Sequence, residues 1–178
     1  MTRGDRRALI ADAVLELAAG GGNHAVTHQA VDRHLGLPKG STSYYFRTRD
    51  ALITAAVERL IGRSQEAFGS RLAAGPRAPL DLIVDYVTEL VTERRTDVLA
   101  RQALLLEPGL SAEIRHALAA CFFSRDADVP DGLLIVLEGV VFTAVPAAET
   151  VDFAGLLGTL FPELRSLPPG QPEQRSEC

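Results

Sequence analysis

Apolar residues recur at helical spacing along most of this chain, a pattern that predicts an all-α fold. Leu9, Ile10, Ala13, Val14, Leu17 and Ala18 mark a first helix over Arg3–Ala19, stopped by Gly20-Gly21-Gly22. Leu52, Ile53, Ala56, Val57, Leu60, Ile61 and Phe68 mark one long helix from Arg49 to about Leu72, broken by the Gly75–Pro79 run. Next comes Leu80–Arg95, with Ile83, Tyr86, Val87, Leu90 and Val91 inward. Thr96 offers a cap for Asp97–Leu106, which is apolar around most of its surface and so reads as buried. Ser111 opens a helix through Ala120 to Phe123, and residues 124–130 read as a loop. Two apolar helices, Gly132–Ala148 and Val151–Leu160, close the folded part. A polar tail over 168–178 is expected to be disordered.

Between the first and the long helix lies a stretch of different character. Thr27 is a good N-cap, and Ala30, Val31 and Leu35 give a short apolar face to a helix running to about His34. Gly36 suits the left-handed residue that ends a helix, and Pro38 suits the first turn of the next. That next helix, Pro38–Tyr45, carries Lys39, Gly40, Ser41, Thr42, Ser43, Tyr44 and Tyr45. Small hydroxyl residues, a lysine and two tyrosines make a poor core helix but a good surface for phosphates and base edges. The pattern fits a helix-turn-helix with its second helix as reader; two plain surface helices around a glycine turn fit it too.

The continuation extends the pattern over many positions. The run Gly36-Leu37-Pro38-Lys39-Gly40, then Tyr45-Phe46-Arg47-Thr48-Arg49-Asp50-Ala51-Leu52, resembles the TetR family of bacterial transcriptional regulators, over about residues 5–55. Arg49 stands at the family's lysine position and Asp50 at its glutamate. Two departures matter. Ser43 replaces a frequent tyrosine, leaving aromatic contacts to Tyr44 and Tyr45. Asp32 stands where helix-turn-helix units usually keep an alanine, and a buried carboxylate there needs a partner. Arg33, a nearby backbone group or a rotated helix would each meet that need. The resemblance implies a helix-turn-helix DNA-binding domain over 1–50 and a helical effector-binding and dimerisation domain over 51–167. It implies a homodimeric regulator, a repressor released from a palindromic operator on double-stranded DNA by a small molecule. Expected DNA-binding residues are Thr27, His28, Gln29, Pro38, Lys39, Gly40, Ser41, Thr42, Ser43, Tyr44, Tyr45 and Arg49, with Arg49 holding a phosphate at a helix start.

Charge changes the picture next. The net charge of −5 argues at first against a nucleic-acid partner. Residues 1–50, however, carry a net +2 and the remainder −7, so the part that would touch phosphate is the basic part. Arg3, Arg6 and Arg7, at the start of the first helix, read either as phosphate contacts or as a solvated end.

Other chemistry finds little support. Cys121 and Cys178 give neither a disulfide framework nor a Cys-x-x-Cys pattern, which favours a reducing, cytoplasmic location. His24 and His28 straddle the Thr27 cap and should not share a face, so no metal site is expected. His28 and Gln29 read as phosphate-facing or plain surface. No catalytic constellation, phosphate loop or cofactor motif stands out, so the chain is read as a non-enzyme. A helical-bundle enzyme and a helix-turn-helix used only for protein contacts are the alternatives. The N-terminus has no signal-peptide run, and the most apolar segment, 133–148, is too short for a membrane span.

The helical body suggests where an effector and a second subunit would sit. Phe68, Tyr86, Leu90, Leu104, Phe122 and Leu137 form the expected apolar pocket, with Tyr86, Arg101 or His116 orienting an apolar or aromatic ligand. Each of these residues equally suits plain core packing. A helix apolar nearly all round must be buried on several sides, which places the dimer interface on the last two helices. Leu133, Gly139, Val141, Ala144, Gly155 and Leu156 are its expected members.

Overall fold

The structure, a computed structural model, describes residues 2–75, 77–123, 131–147 and 151–166. Among these residues the chain is helical and holds no strand. The helices are α1 (Arg3–Gly21), α2 (His28–His34), α3 (Ser41–Tyr45), α4 (Arg49–Ala73), α5 (Pro79–Val91), α6 (Arg95–Leu105), α7 (Ala112–Ala119), α8 (Asp131–Ala147) and α9 (Phe153–Leu160). Short 3-10 turns at Asn23–Ala25 and Pro162–Arg165 complete the list. The all-α expectation holds. The expected loop at 124–130 and the tail at 168–178 lie outside the described residues.

Side chains cap most of the starts. Thr2 and Asp5 form a reciprocal capping box on α1, so an acid in the first turn offsets the arginines there. Thr27, Thr48, Ser111 and Asp152 each accept from a backbone N–H of α2, α4, α7 and α9. Thr96 does not cap: α6 begins one residue earlier, and no side chain makes the cap hydrogen bond. The helix expected to reach Phe123 stops at Ala119, and α5 ends at Val91, short of Arg95.

One core runs through the molecule. α1 packs on α4 and α6, joining the N-terminal helices to the body, and α5 packs on α6, α8 and α9. Ile10, Val14, Leu15, Leu52, Ile53, Leu60, Leu90, Leu104 and Leu118 are fully enclosed. Three expectations of burial fail. Leu9 on α1 is 38% exposed, Phe68 on α4 is 41% exposed, and Leu106 is 78% exposed just past the end of α6.

The rotation of α8 corrects the expected dimer residues. Leu133, Leu137, Val141, Ala144 and Val145 turn α8 into its own subunit's core. The opposite stripe presents Ile135, Gly139 and Phe142 to solvent, with Ile135 71% and Phe142 60% exposed. Leu133, Val141 and Ala144 are therefore core residues. Gly139 keeps its outward place, and Gly155 and Leu156 are half-buried on α9. Among the described residues no helix is long and apolar enough to cross a membrane.

Candidate functional site

α3 is only five residues long, too short to persist by itself, so its position depends on what holds it. Asp32, on α2, does most of that. It is 3% exposed, and its carboxylate accepts from the Gly40 N–H (2.7 Å), the Thr42 N–H (2.8 Å) and the Thr42 hydroxyl (2.7 Å). It acts as a cap delivered from the preceding helix, satisfying N–H groups that α3 leaves unpaired. Burial pushes the Asp32 carboxyl up, but the bonds from Thr42 and Gly40, with the nearby His28, outweigh it and hold the group below its ordinary value. Of the three ways to satisfy a carboxylate here, the backbone of the reader is the one used.

The turn fits around this contact. Gly36 has φ +62°, the left-handed end expected for α2, and Leu37 N–H returns to the Asp32 carbonyl at 2.7 Å. Gly40 has φ +91°, a conformation open mainly to glycine, immediately before α3. Pro38, Lys39 and Gly40 thus form a turn, and the reader helix is shorter than Pro38–Tyr45.

The C-terminal end of the reader is held as well. Arg7 donates to the Tyr45 carbonyl (2.9 Å), and its guanidinium lies 4.2 Å from the centre of the buried Phe46 ring. His28 Nε2 donates to the Phe46 carbonyl at 2.7 Å, which assigns that proton. Tyr44 and Tyr45 meet edge to face at 5.2 Å, with Tyr44 72% exposed.

This geometry sorts the expected DNA-binding residues. Gln29 is exposed in the first turn of α2, and Pro38, Lys39, Gly40, Ser43 and Tyr44 are exposed around the turn and the outer side of α3. Thr27 is exposed and caps α2, while Ser41, whose hydroxyl donates to the Pro38 carbonyl at 2.6 Å, is half-buried with Tyr45 and His28. Thr42 needs correction: it is 0% exposed, with both donors committed to Asp32, so it supports the reader from within.

Arg49 needs correction too. Its guanidinium turns inward, donating to the carbonyls of Val26 (3.2 Å) and Asn23 (2.7 Å) and pairing with Glu107 at 2.7 Å. Glu107 is 5% exposed and sits in the turn after α6. Its hydrogen bond from Arg49 holds the Glu107 carboxyl below its ordinary value despite burial, and the same bond raises Arg49. The expected phosphate ligand is a tie between the reader unit and the body.

At the far end of α4 the chemistry reverses. A chamber of about 480 Å³ opens between α4, α5, α7 and α8. Ile61, Ser64, Gln65 and Phe68 line it from successive turns of α4. Tyr86, Phe122, Phe123 and Leu137 close it, with Ile83, Ala117, Ala120, Cys121 and Leu134 around them. Four of the expected pocket residues, Phe68, Tyr86, Phe122 and Leu137, are thus brought together.

The other four are not. Leu90 and Leu104 are 0% exposed core residues and do not line it. Arg101 and His116 line an adjoining cleft of about 640 Å³ that shares Ala120, Phe123 and Leu134 with the chamber. There Arg101 is held in place: Glu138 takes two of its N–H groups at 2.8 and 2.9 Å, and the Leu118 and Ala119 carbonyls take others. Sequence reading missed Ile61, Ser64 and Gln65, although their spacing to Phe68 marks one helix face; two polar residues interrupt the apolar stripe.

An ion-pair chain runs beside the chamber. Asp12 of α1 pairs with Arg59 and Arg63 of α4, Arg63 pairs with Asp97 of α6, and Asp97 pairs with Arg94. Arg94 also donates to Ser64, a chamber residue, at 2.8 Å. Among the described residues no group of three or more His, Cys, Asp or Glu could hold a metal ion.

No protein-family model matches the chain, and no curated protein matches it in sequence. Among solved structures the chain is similar to the multidrug binding protein EbrR in its crystal structure with imidazole. The TM-score is 0.62 with 24% identity, covering 92% of each chain. The likeness is one of fold. It extends over nearly the whole length of both chains.

Proposed function

We propose that the chain is a DNA-binding transcriptional regulator with residues 1–50 as the DNA-binding domain and 51–167 as the effector-binding and dimerisation domain. In this reading it is a cytoplasmic repressor that leaves a palindromic operator when a small apolar molecule enters the chamber. The observation that carries it is the course of α4. Its first turn is tied to the reader unit through Arg49, and its later turns wall the chamber through Ile61, Ser64, Gln65 and Phe68. A ligand that shifts α4 therefore shifts the reader. Lys39, Ser43 and Tyr44 face base edges or nearby phosphates, and Thr27 and Gln29 face the backbone. The similarity in fold to a multidrug binding protein supports a small-molecule site in the body.

A second subunit docks on the outward stripe of α8. Ile135 and Phe142 flank Gly139 there, and Leu160 of α9 is 51% exposed. Large exposed apolar side chains around a glycine fit a close helix–helix contact between copies. Two readers then meet successive major grooves about 34–36 Å apart.

Retention on duplex DNA tests the core of this proposal. A DNA-binding regulator binds with a steep salt dependence; an enzyme or a protein-contact module does not. Release by an effector is tested by reciprocity. Operator DNA must weaken effector affinity by the factor with which effector weakens DNA affinity. Equal effector affinities with and without operator leave a DNA binder that no ligand switches.

A further inference from the structure

Aromatic carbon dominates one side of the chamber. Phe68, Tyr86, Phe122 and Phe123 all line it. Phe68 meets Tyr86 edge to face at 5.6 Å, and Tyr86 meets Phe123 in the same way at 5.9 Å. Such a cage has two opposite uses. Open ring faces attract a cationic head group, whereas occupied faces leave apolar contact alone.

Here two of the four rings, Tyr86 and Phe122, are already engaged by guanidinium groups. The Arg71 guanidinium lies over Tyr86, 5.4 Å from its centre. Arg94 and Arg101 both lie over Phe122, at 5.6 and 5.1 Å. None of the three arginines lines the chamber, so each reaches its ring from the surrounding helices. A guanidinium within about 6 Å already uses the quadrupole of the ring it covers, leaving less of it for a cationic ligand. Among the described residues the walls hold no Asp or Glu to offset a ligand's positive charge. The carboxylates around these arginines are committed to them, Glu89 to Arg71, Asp97 to Arg94 and Glu138 to Arg101.

Those same pairs remove the case for an anion, since each arginine is matched by a carboxylate in contact with it. The polar groups of the lining residues, Ser64, Gln65, Cys121 and the Tyr86 hydroxyl, are uncharged. Burial pushes the Cys121 thiol up to about 12, so it stays protonated. A charged ligand would leave water and find no counterion.

We infer that the chamber selects its ligand by charge: it accepts an uncharged aromatic or branched-aliphatic molecule and rejects a cation or an anion of the same shape. This rests on the reading of the chamber as the effector site.

Three probes of nearly one shape test it: neopentylbenzene, benzyltrimethylammonium and phenylmethanesulfonate. Each is titrated against the full chain carrying the neutral fluorophore N-phenyl-1-naphthylamine. Neopentylbenzene is expected to displace the fluorophore at a concentration at least tenfold lower than either ion. Arg71→Gln uncovers Tyr86 and removes the nearer of Glu89's two arginine partners, so it should narrow the neutral-to-cation ratio at least threefold and leave neutral affinity within twofold. Thermal melts confirm that this variant is folded; if it is not, the wild-type ratios decide alone. A cation binding within threefold of the neutral probe overturns the charge selection and leaves the effector chamber standing. So does a ratio that a folded Arg71→Gln variant leaves unchanged. Absence of any fluorophore binding to the folded chain overturns the effector chamber and the selection together.

Discussion

The two ends of α4 are built on opposite principles. Around its first turn nearly every polar group is answered: Asp32 by Gly40 and Thr42, His28 by the Phe46 carbonyl, Arg49 by Asn23, Val26 and Glu107. Around its last turns a chamber of about 480 Å³ is left between aromatic walls. Hydrogen bonds are directional and fix a surface in one shape, which suits the proposed match to DNA. Apolar contacts are non-directional, so a void between aromatic side chains admits ligands of several shapes. The helix between them is 25 residues long and packs on α1, α6 and α7, and in the proposed switch it links the two ends.

Breaking the core beneath the outward stripe should have the largest effect. Val141→Arg places a charge at a position 1% exposed, and about 3–5 kcal/mol of stability should be lost in urea unfolding. Phe142→Arg, one residue on and 60% exposed, should leave subunit stability almost unchanged while sedimentation shifts from dimer to monomer. A wild-type chain already monomeric at micromolar concentration removes the α8 interface.

The hydrogen-bonded end should fail next. Asp32→Ala strands two N–H groups and a hydroxyl, for a cost of about 2–4 kcal/mol. Its pH dependence follows from the lowered carboxyl. The Asp32 contribution is complete above the unfolded value of about 4 and is lost as pH falls through the folded one. The stability gap between wild type and Asp32→Asn should therefore narrow on acidification below about pH 4. A gap constant across that range would mean that the carboxylate's charge contributes nothing.

Cutting the tie between reader and body sharpens the comparison further. Glu107→Ala should cost about 2 kcal/mol and speed amide exchange around Asn23–Thr27. Arg49→Ala should do the same and leave the slope of log affinity against log salt unchanged. A slope smaller by one would restore Arg49 to the phosphate contacts.

The smallest effect belongs to the exposed surface. Lys39→Ala should leave stability within about 0.5 kcal/mol and flatten the salt slope by about one unit. An unchanged slope would take Lys39 off the phosphate backbone.

How much of this was legible in the chain follows from the range of the interactions. Helix spacing, the Thr27 cap and the left-handed Gly36 are local properties, settled within a few residues, and they placed α1, α2 and α4 closely. The exposed turn and tyrosines of the reader were visible for the same reason. Three things were decided only by the tertiary structure. Thr42 looked like a contact residue until Asp32, ten positions earlier, took both its donors. Arg49 looked like a phosphate ligand until α6 delivered Glu107 from 58 positions away. In α8, apolar nearly all round, pattern could not separate the face of Val141 from the face of Phe142, because a helix without a polar side carries no phase. Periodicity reports which residues avoid water. Which partner they meet instead depends on contacts distant in the chain, and no local pattern encodes those.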